Sequence, residues 1–405
     1  MKKYNLSLLS IAISSVTAGL SFNVKAVSLT EALTQGKAYF DVRLRYETVD
    51  QDNALKNANG FTVRSRLGYR TGDIAGFSGQ LEFEDSRATG GIDSYNDALG
   101  RNAGVYSVIA DPETTELDQA FLQYKAGTVT AKFGRQVLTY DNHRFVGHVG
   151  WRQDRQTFDG VTVSVSPFED LKLSYAFIDN RNRIFAEDKD VASSDHLFNA
   201  KLKTPAGALT LYGYWLEDDK TDDTLDTYGV RFSGDADLDA VKLLYTAEYA
   251  TQKKEDGESG ANANAEYQLL EGGVSISGIT AKLGYEILGS DDAVYGFSTP
   301  LATLHKFNGW ADQFLGTPAV GLVDTYASIG GKLLGGKWAV VYHEFEADEA
   351  SATMDDLGSE YDLLYAKKFG KNYSAGIKYA AYSAGDDAAG KVDTDKVWLW
   401  VGASF

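Results

Sequence analysis

Apolar and polar residues alternate with a period of two along almost the whole chain. Asp41-Val42-Arg43-Leu44-Arg45-Tyr46-Glu47 shows the pattern near the start, and Lys396-Val397-Trp398-Leu399-Trp400-Val401 shows it just before the C-terminal Phe405. Successive side chains of a strand point to opposite faces, so each segment has one apolar face and one polar face. A soluble sandwich hides the first and wets the second. Here the polar faces carry rows of Arg, Glu and Asp. About eighteen such segments, with nothing helical between them, predict an all-β protein, a transmembrane antiparallel β-barrel with its apolar face in lipid and its charged face in a lumen.

The connections support that reading. Leu29 to Gly36 is long enough for only a turn of helix. Strands are expected at Ala38–Val49, Gly60–Thr71, Gly76–Ser86, Thr114–Ala126 and Gly127–Leu138, and the rhythm continues to the end. Short joints such as Gly72-Asp73-Ile74-Ala75, Gly234-Asp235 and Ser277-Gly278 alternate with long ones such as Thr139–Gln156, Asp291–Val320 and Ala347–Gly358. Tight turns at one end and longer loops at the other are the asymmetry of an outer-membrane barrel.

Parity then assigns faces. Phe40, Val42, Leu44 and Tyr46 face lipid, opposite Asp41, Arg43, Arg45 and Glu47. Phe61, Val63, Leu67 and Tyr69 oppose Thr62, Arg64, Arg66 and Arg70, and Phe77, Leu81 and Phe83 oppose Gln80, Glu82 and Glu84. A charge facing lipid at mid-bilayer costs ~2–4 kcal/mol, so the charged rows belong to the lumen. In Asp118–Tyr124 and Lys337–His343 both parities carry apolar residues, as a bulge would produce.

Composition sharpens the class. The 405 residues include 41 glycines, 5 prolines, 24 tyrosines and 20 phenylalanines, a balance suited to many paired strands with interfacial aromatic girdles. There is no cysteine, which excludes a disulfide framework and thiolate metal sites. Met1-Lys2-Lys3, a short apolar run to Phe22 and Val24-Lys25-Ala26 read as a secretory signal peptide, residues 1–26, leaving one barrel domain, residues 27–405. The net charge of −18 argues against nucleic acid as a partner. It concentrates between strands, in Glu217-Asp218-Asp219, Glu255-Asp256-Gly257-Glu258 and Asp386-Asp387, as solvated loop surface or as carboxylates that bridge divalent cations to lipid headgroups.

Arginine is confined to the first part of the chain, and none follows Arg231. Arg43, Arg45, Arg64, Arg66, Arg70, Arg135, Arg144, Arg152 and Arg155 fall on neighbouring strands and the loop above them, with Glu82 and Glu84 across the wall. Either the wall is ion-paired and self-neutralising, or it is a selectivity surface for carboxylated solutes, since guanidinium binds carboxylate through two parallel hydrogen bonds. The loop Thr139–Gln156 differs from the acidic, glycine-rich loops. Its Asp141, Asn142, His143, Phe145 and Trp151 predict a segment that folds inward and narrows the lumen, and Asp291–Val320 is a candidate second lid.

Phe133-Gly134-Arg135-Gln136-Val137-Leu138, Asp141-Asn142-His143-Arg144-Phe145-Val146-Gly147 and Gly150-Trp151-Arg152-Gln153-Asp154-Arg155-Gln156-Thr157-Phe158-Asp159 resemble the alginate-export-type porin family. Ser28-Leu29-Thr30-Glu31-Ala32-Leu33 and Phe307-Asn308-Gly309-Trp310-Ala311-Asp312-Gln313-Phe314-Leu315 add to the likeness. The resemblance implies an eighteen-stranded monomeric barrel and, in the namesake member, passage of an anionic polysaccharide through an arginine-rich pore. In this chain acidic residues interleave with the arginines, so uptake of small solutes is as good an expectation as export.

The five histidines, His143, His148, His196, His305 and His343, fall in no zinc spacing, and no nucleophile elbow or phosphate-cradling loop is present. The expected activity is therefore a channel for small or oligomeric anionic, alginate-like solutes, with no enzymatic function and no cofactor. Its expected partners are outer-membrane lipids, oligosaccharide or small-molecule solutes, and the barrel-assembly machinery, which the C-terminal aromatic would address. The alternatives are a closed structural or adhesive barrel and a barrel hydrolase.

Overall fold

The computed structural model describes residues 28–405, and the expected signal segment lies outside them. Ser28 caps a single helical turn, α1 (Leu29–Thr34), by accepting from the Glu31 N–H at 3.1 Å. The Gly72 N–H donates to the Ala32 carbonyl at 2.8 Å and fixes α1 at the short-turn end.

Eighteen antiparallel strands then close on themselves. In chain order they are β1 (Lys37–Gln51), β2 (Ala58–Arg70), β3 (Phe77–Ser94), β4 (Thr114–Ala126), β5 (Val129–Arg135) and β6 (Thr157–Phe168). Next come β7 (Leu171–Asn182), β8 (Val191–Thr204), β9 (Gly207–Glu217), β10 (Thr224–Leu238), β11 (Val241–Glu255) and β12 (Asn262–Ile276). The last are β13 (Ile279–Leu288), β14 (Leu322–Leu333), β15 (Gly336–Ser351), β16 (Met354–Phe369), β17 (Tyr373–Ser383) and β18 (Thr394–Ser404). Each strand pairs with its sequence neighbours, and β1 pairs with β18 to complete the barrel. Phe405 extends this seam, since its N–H and carbonyl both bond to Phe40, at 2.8 and 3.1 Å.

Face assignment by parity holds. Arg45, Glu47, Thr62, Arg64, Arg66, Glu82 and Glu84 are buried on the lumen side, while Phe40, Leu67, Leu81 and Phe83 are exposed on the outer wall. At Asp118 the pairing of β3 with β4 slips by one residue, so Asp118 and Gln119 are both buried and the parity of β4 reverses. No bulge interrupts Lys337–His343. His343 faces inward, Ala339 and Val341 share its parity and line a lumen cavity, and the inner wall is simply apolar there.

The two-residue turn Ser277-Gly278 has positive φ at both positions, 50° and 83°, and Leu334-Gly335 repeats this with 50° and 79°. That is the geometry whose twist matches the flanking strands, and glycine adopts it without steric cost.

Three expected boundaries are corrected. Ala347–Gly358 is mostly strand, with β15 and β16 meeting across Ala352 and Thr353, and Gly234-Asp235 lies within β10, whose turn comes at Asp239. β3 continues to Ser94 rather than stopping at Ser86. These stretches carry few bulky apolar residues, so alternation marks them less clearly, although Ala347 and Leu357 are buried on the inner side.

Candidate functional site

Two connections leave the long-loop rim and fill the lumen. L3 (residues 136–156) follows β5, and L7 (residues 289–321) follows β13. They are joined backbone to backbone, the Gly147 N–H donating to the Leu301 carbonyl at 2.7 Å and the Thr303 N–H to the His143 carbonyl at 3.1 Å. Gln156 Nε2 adds bonds to the carbonyls of Gly147 and Leu301. A Cβ on Gly147 would stand 2.2 Å from Thr303 Oγ1, so only glycine allows this approach. The expected second lid is therefore present and continuous with the first.

The arginines of the β1–β4 wall hold this block. Arg43 donates to the carbonyls of Gly150, Trp151 and Arg152 at 3.2, 2.8 and 2.5 Å and to Gln153 Oε1 at 3.0 Å. Arg45 bonds the Trp151 carbonyl at 2.5 Å and pairs with Glu47 and Asp111. Arg64 pairs with Asp41, and Arg66 with Glu84. From the loop side, Arg155 pairs with Glu82 and with Asp118, and Arg152 bridges Glu47 at 3.2 Å to Asp312 of L7 at 3.0 Å. Arg144 reaches across the lumen to Glu286 of β13 at 2.9 Å and Asn308 at 3.0 Å. Arg135 stands apart at the end of β5, held by Asp159 through two bonds of 2.8 and 2.9 Å, and Arg70 is exposed at the short-turn end with no ion pair among the described residues. Apart from Arg43 and Arg70, each predicted arginine thus has a carboxylate partner. Taking an ion into a low-dielectric interior costs several kcal/mol unless partners repay it, and Arg43 finds them in three backbone carbonyls and an amide oxygen.

The remaining predicted loop residues sit at the tip of L3. Asp141 accepts from Asn199 at 2.8 Å and Thr210 at 3.3 Å, with Lys201 at 3.4 Å. The Asn142 carbonyl accepts from Lys306 at 2.7 Å, and His143 meets His148 edge to face. Phe145 enters a ring cluster, with centroids 5.0 Å from Tyr212, 5.3 Å from Tyr267 and 6.0 Å from Phe297. Trp151 stacks on His305 at 5.0 Å.

Asp312 is the hub of the L3–L7 contact. Its carboxylate takes Arg152, Lys396 of β18 at 2.9 Å and His305 Nδ1 at 2.6 Å. Burial would push its pKa up, but His305, Lys396 and Arg152 together hold it well below the usual carboxylate range. Burial pushes the His305 imidazole down to about 3, against the pull of Asp312. His305 is thus neutral at pH 7, with Nδ1–H donating to Asp312. Elsewhere in L3, burial together with Glu116 and Glu84 pushes the Asp154 carboxyl well above its ordinary value.

A family model for alginate export matches residues 36–289. The chain belongs to the alginate export family. No curated protein matches it by sequence. Among solved structures it is similar to Pseudomonas aeruginosa OccK9 (OpdG), with a TM-score of 0.72 at 14% identity, covering 92% of this chain and 99% of that one. Acinetobacter baumannii OccAB4 gives 0.70 at 14% identity, with coverage of 92% and 98%. Pseudomonas aeruginosa OpdK, in a structure with vanillate, gives 0.69 at 12% identity, with coverage of 91% and 98%. At such identities the likeness is one of fold. Family and fold together make this an outer-membrane barrel of the porin type.

In this alginate export barrel the open space lies away from the arginine wall. A cavity of about 460 Å³ is lined by β10–β15 residues and by Lys306, Phe307 and Trp310 of L7. A second, of about 480 Å³, lies toward the long-loop rim between Leu216, Leu225, Lys254 and L7 residues such as Tyr295 and Pro300. Beside the second cavity, Phe145 and Val146 leave only a narrow gap against Tyr214, Thr227 and Leu301. Sequence reasoning missed Asp312, Lys396, His305 and Glu286 as site residues. Parity places Lys396 and Glu286 on inner faces, but nothing local says which loop residue meets them.

Proposed function

We propose that this barrel is an outer-membrane channel for small anionic, carboxylated solutes, passing on the β9–β15 side of the constriction. In this reading the arginines of the β1–β4 wall are lumen residues whose charge is used to hold L3, while selectivity rests with the cations facing the 460 Å³ cavity: Arg231, Lys282 and Lys306. The observation that carries it is Lys306. Arg231 pairs with Glu248, and Lys282 with Glu271 at 2.9 Å, but Lys306 has only the Asn142 carbonyl and forms no ion pair among the described residues. A cation with donors to spare at a constriction favours anions. Phe307, Trp310 and Tyr326 beside it supply ring faces for a cyclic solute. OpdK, of the same fold, was solved with vanillate, an aromatic carboxylate, and the family takes its name from a polyuronate. The barrel reaches the outer membrane after loss of residues 1–26 and is inserted by the assembly machinery through its C-terminal strand.

The test is single-channel recording in planar bilayers under a salt gradient, with glucuronate and benzoate as blockers. The wild type should show an anion-selective reversal potential and block by at least one of them. Lys306→Gln with Lys282→Gln should move the potential toward cations and weaken block. A wild type that is cation-selective, or a double variant with unchanged potential, refutes the anion reading. A chain that inserts without conducting points to a closed structural barrel.

A further inference from the structure

Lys378 belongs to β17 and is buried among three indoles from three separate segments. Its ammonium lies 3.7 Å from the ring centre of Trp310 in L7, 4.6 Å from that of Trp151 in L3 and 5.4 Å from that of Trp398 in β18. It also donates to His305 Nε2 at 2.8 Å. Neutral His305 has a lone pair there because its proton is on Nδ1, aimed at Asp312. Lys396, the neighbouring buried lysine of the seam, is neutralised directly by Asp312, whereas Lys378 forms no ion pair within 4.0 Å among the described residues. At contact distance its ammonium meets ring faces and one imidazole, the rings attracting a cation through the aromatic quadrupole, and the carboxylates of Asp362, Asp312 and Glu360 act on it from farther off.

Trp151 also touches rings on both of its sides. Trp151 stacks on His305 and stands edge to face with Trp398 at 5.9 Å and Trp400 at 5.5 Å. An ammonium placed where these rings converge binds both loops to the wall at once. Packing alone orients two of these rings, since the indole N–H groups of Trp151 and Trp398 make no hydrogen bond among the described residues.

We infer that Lys378 is the positioning residue of the constriction: its ammonium, held in a tryptophan cage built from L3, L7 and β18, latches both loops in the lumen. The inference rests on the channel reading, and it specifies the chemistry of the latch. What the cage recognises is a primary ammonium, so the function lost on truncating the side chain should be restored by a free alkylammonium of the missing length.

Lys378→Ala removes the equivalent of n-propylammonium. In bilayer recordings its conductance should rise several-fold above wild type with frequent flicker, and millimolar n-propylammonium should return it toward wild type, while n-propanol should not. Lys378→Arg should retain near-wild-type conductance, and Lys378→Met should resemble Lys378→Ala without rescue. Tryptophan emission and limited proteolysis of L7, measured on the same detergent-solubilised proteins, report the latch even if the wild type proves closed to ions. Loss of the latch should red-shift the emission and speed cleavage within residues 289–321. Conductance, emission and cleavage of Lys378→Met all equal to wild type would overturn the proposal. So would rescue of Lys378→Ala by n-propanol as well as by n-propylammonium, which would mean that the side chain only fills space.

Discussion

Replacing Asp312 by Asn keeps the shape of the hub and removes its charge. The consequences can be worked from its partners. Lys396 has no other ion pair among the described residues, so its buried ammonium keeps only the more distant charge of Glu47. Arg152 keeps both of its bonds to Glu47 at 3.2 Å and loses one of two carboxylates. His305 retains an acceptor if the amide oxygen turns toward it. Breaking one partner out of a buried pair costs about 3–5 kcal/mol, and most of that falls here on Lys396. Converted at about 1.4 kcal/mol per decade, the docked arrangement of L3 and L7 should weaken by roughly two to three and a half orders of magnitude. The assay is a double-mutant cycle with Lys396→Met, read by denaturant unfolding in micelles and by single-channel conductance. Asp312→Asn alone should raise conductance and lower stability, and adding Lys396→Met should recover part of both, because an apolar replacement of a whole buried pair is often close to neutral. A coupling energy below about 0.5 kcal/mol, with unchanged conductance, would refute the reasoning, since that is the scatter expected of independent sites.

Phe145→Ala should widen the gap beside the rim cavity by removing the ring that meets Tyr212, Tyr267 and Phe297. The expected outcome is a larger solute cut-off in liposome-swelling measurements and a stability loss of at most about 3–5 kcal/mol, and an unchanged cut-off would place the barrier elsewhere. Acid should open the channel. His305 titrates at about 3 in the docked loop against about 6.5 when free, so the docked state is fully stable above pH 6.5 and loses about 1.4 kcal/mol per pH unit as pH falls toward 3. The groups facing this imidazole are Asp312 from L7, Arg152 and Trp151 from L3, Lys378 from β17 and Trp398 from β18, and its protonation would set it against the Lys378 ammonium. Conductance should rise between pH 6.5 and 4, and His305→Asn should flatten the rise. His148, pushed down by burial to about 4, adds a smaller step that survives this substitution.

The barrel was legible because lipid enforces alternation strictly: a single lipid-facing charge at mid-bilayer is expensive, so parity alone assigned Arg45, Arg64, Arg66, Glu82 and Glu84 to the inner face. The reading weakened where that pressure ends. Glu346 to Glu349 and Arg87 to Ser94 carry few bulky apolar residues and looked like loop. The inward course of L3 was legible from Phe145 and Trp151, which have no reason to exist in a loop that meets only water. Its fastening was not. Whether an arginine row meets a solute or a carboxylate depends on partners such as Arg152 with Asp312 and Arg144 with Glu286, distant along the chain and brought together only by closure of the barrel. No local pattern encodes such pairs, nor the convergence of Trp151, Trp310 and Trp398 on one lysine.

The register of the seam has a consequence for the order of assembly. Glu47 of β1 lies directly opposite Trp398 of β18, and Val49 opposite Lys396. The groups that receive Arg152 and Asp312 therefore come from the first and last strands of the chain and share a wall only once the two ends have met. Until then neither loop has a complete surface to dock on, so the interior must fill after the sheet has zipped shut. Joining the termini is also the contact of greatest sequence separation, and loop-closure entropy makes such contacts late and slow. Once the loops are seated, their ion pairs straddle the join, and parting β1 from β18 sideways would require pulling buried charges apart. The plug of the barrel is in this sense also the bolt across its only seam.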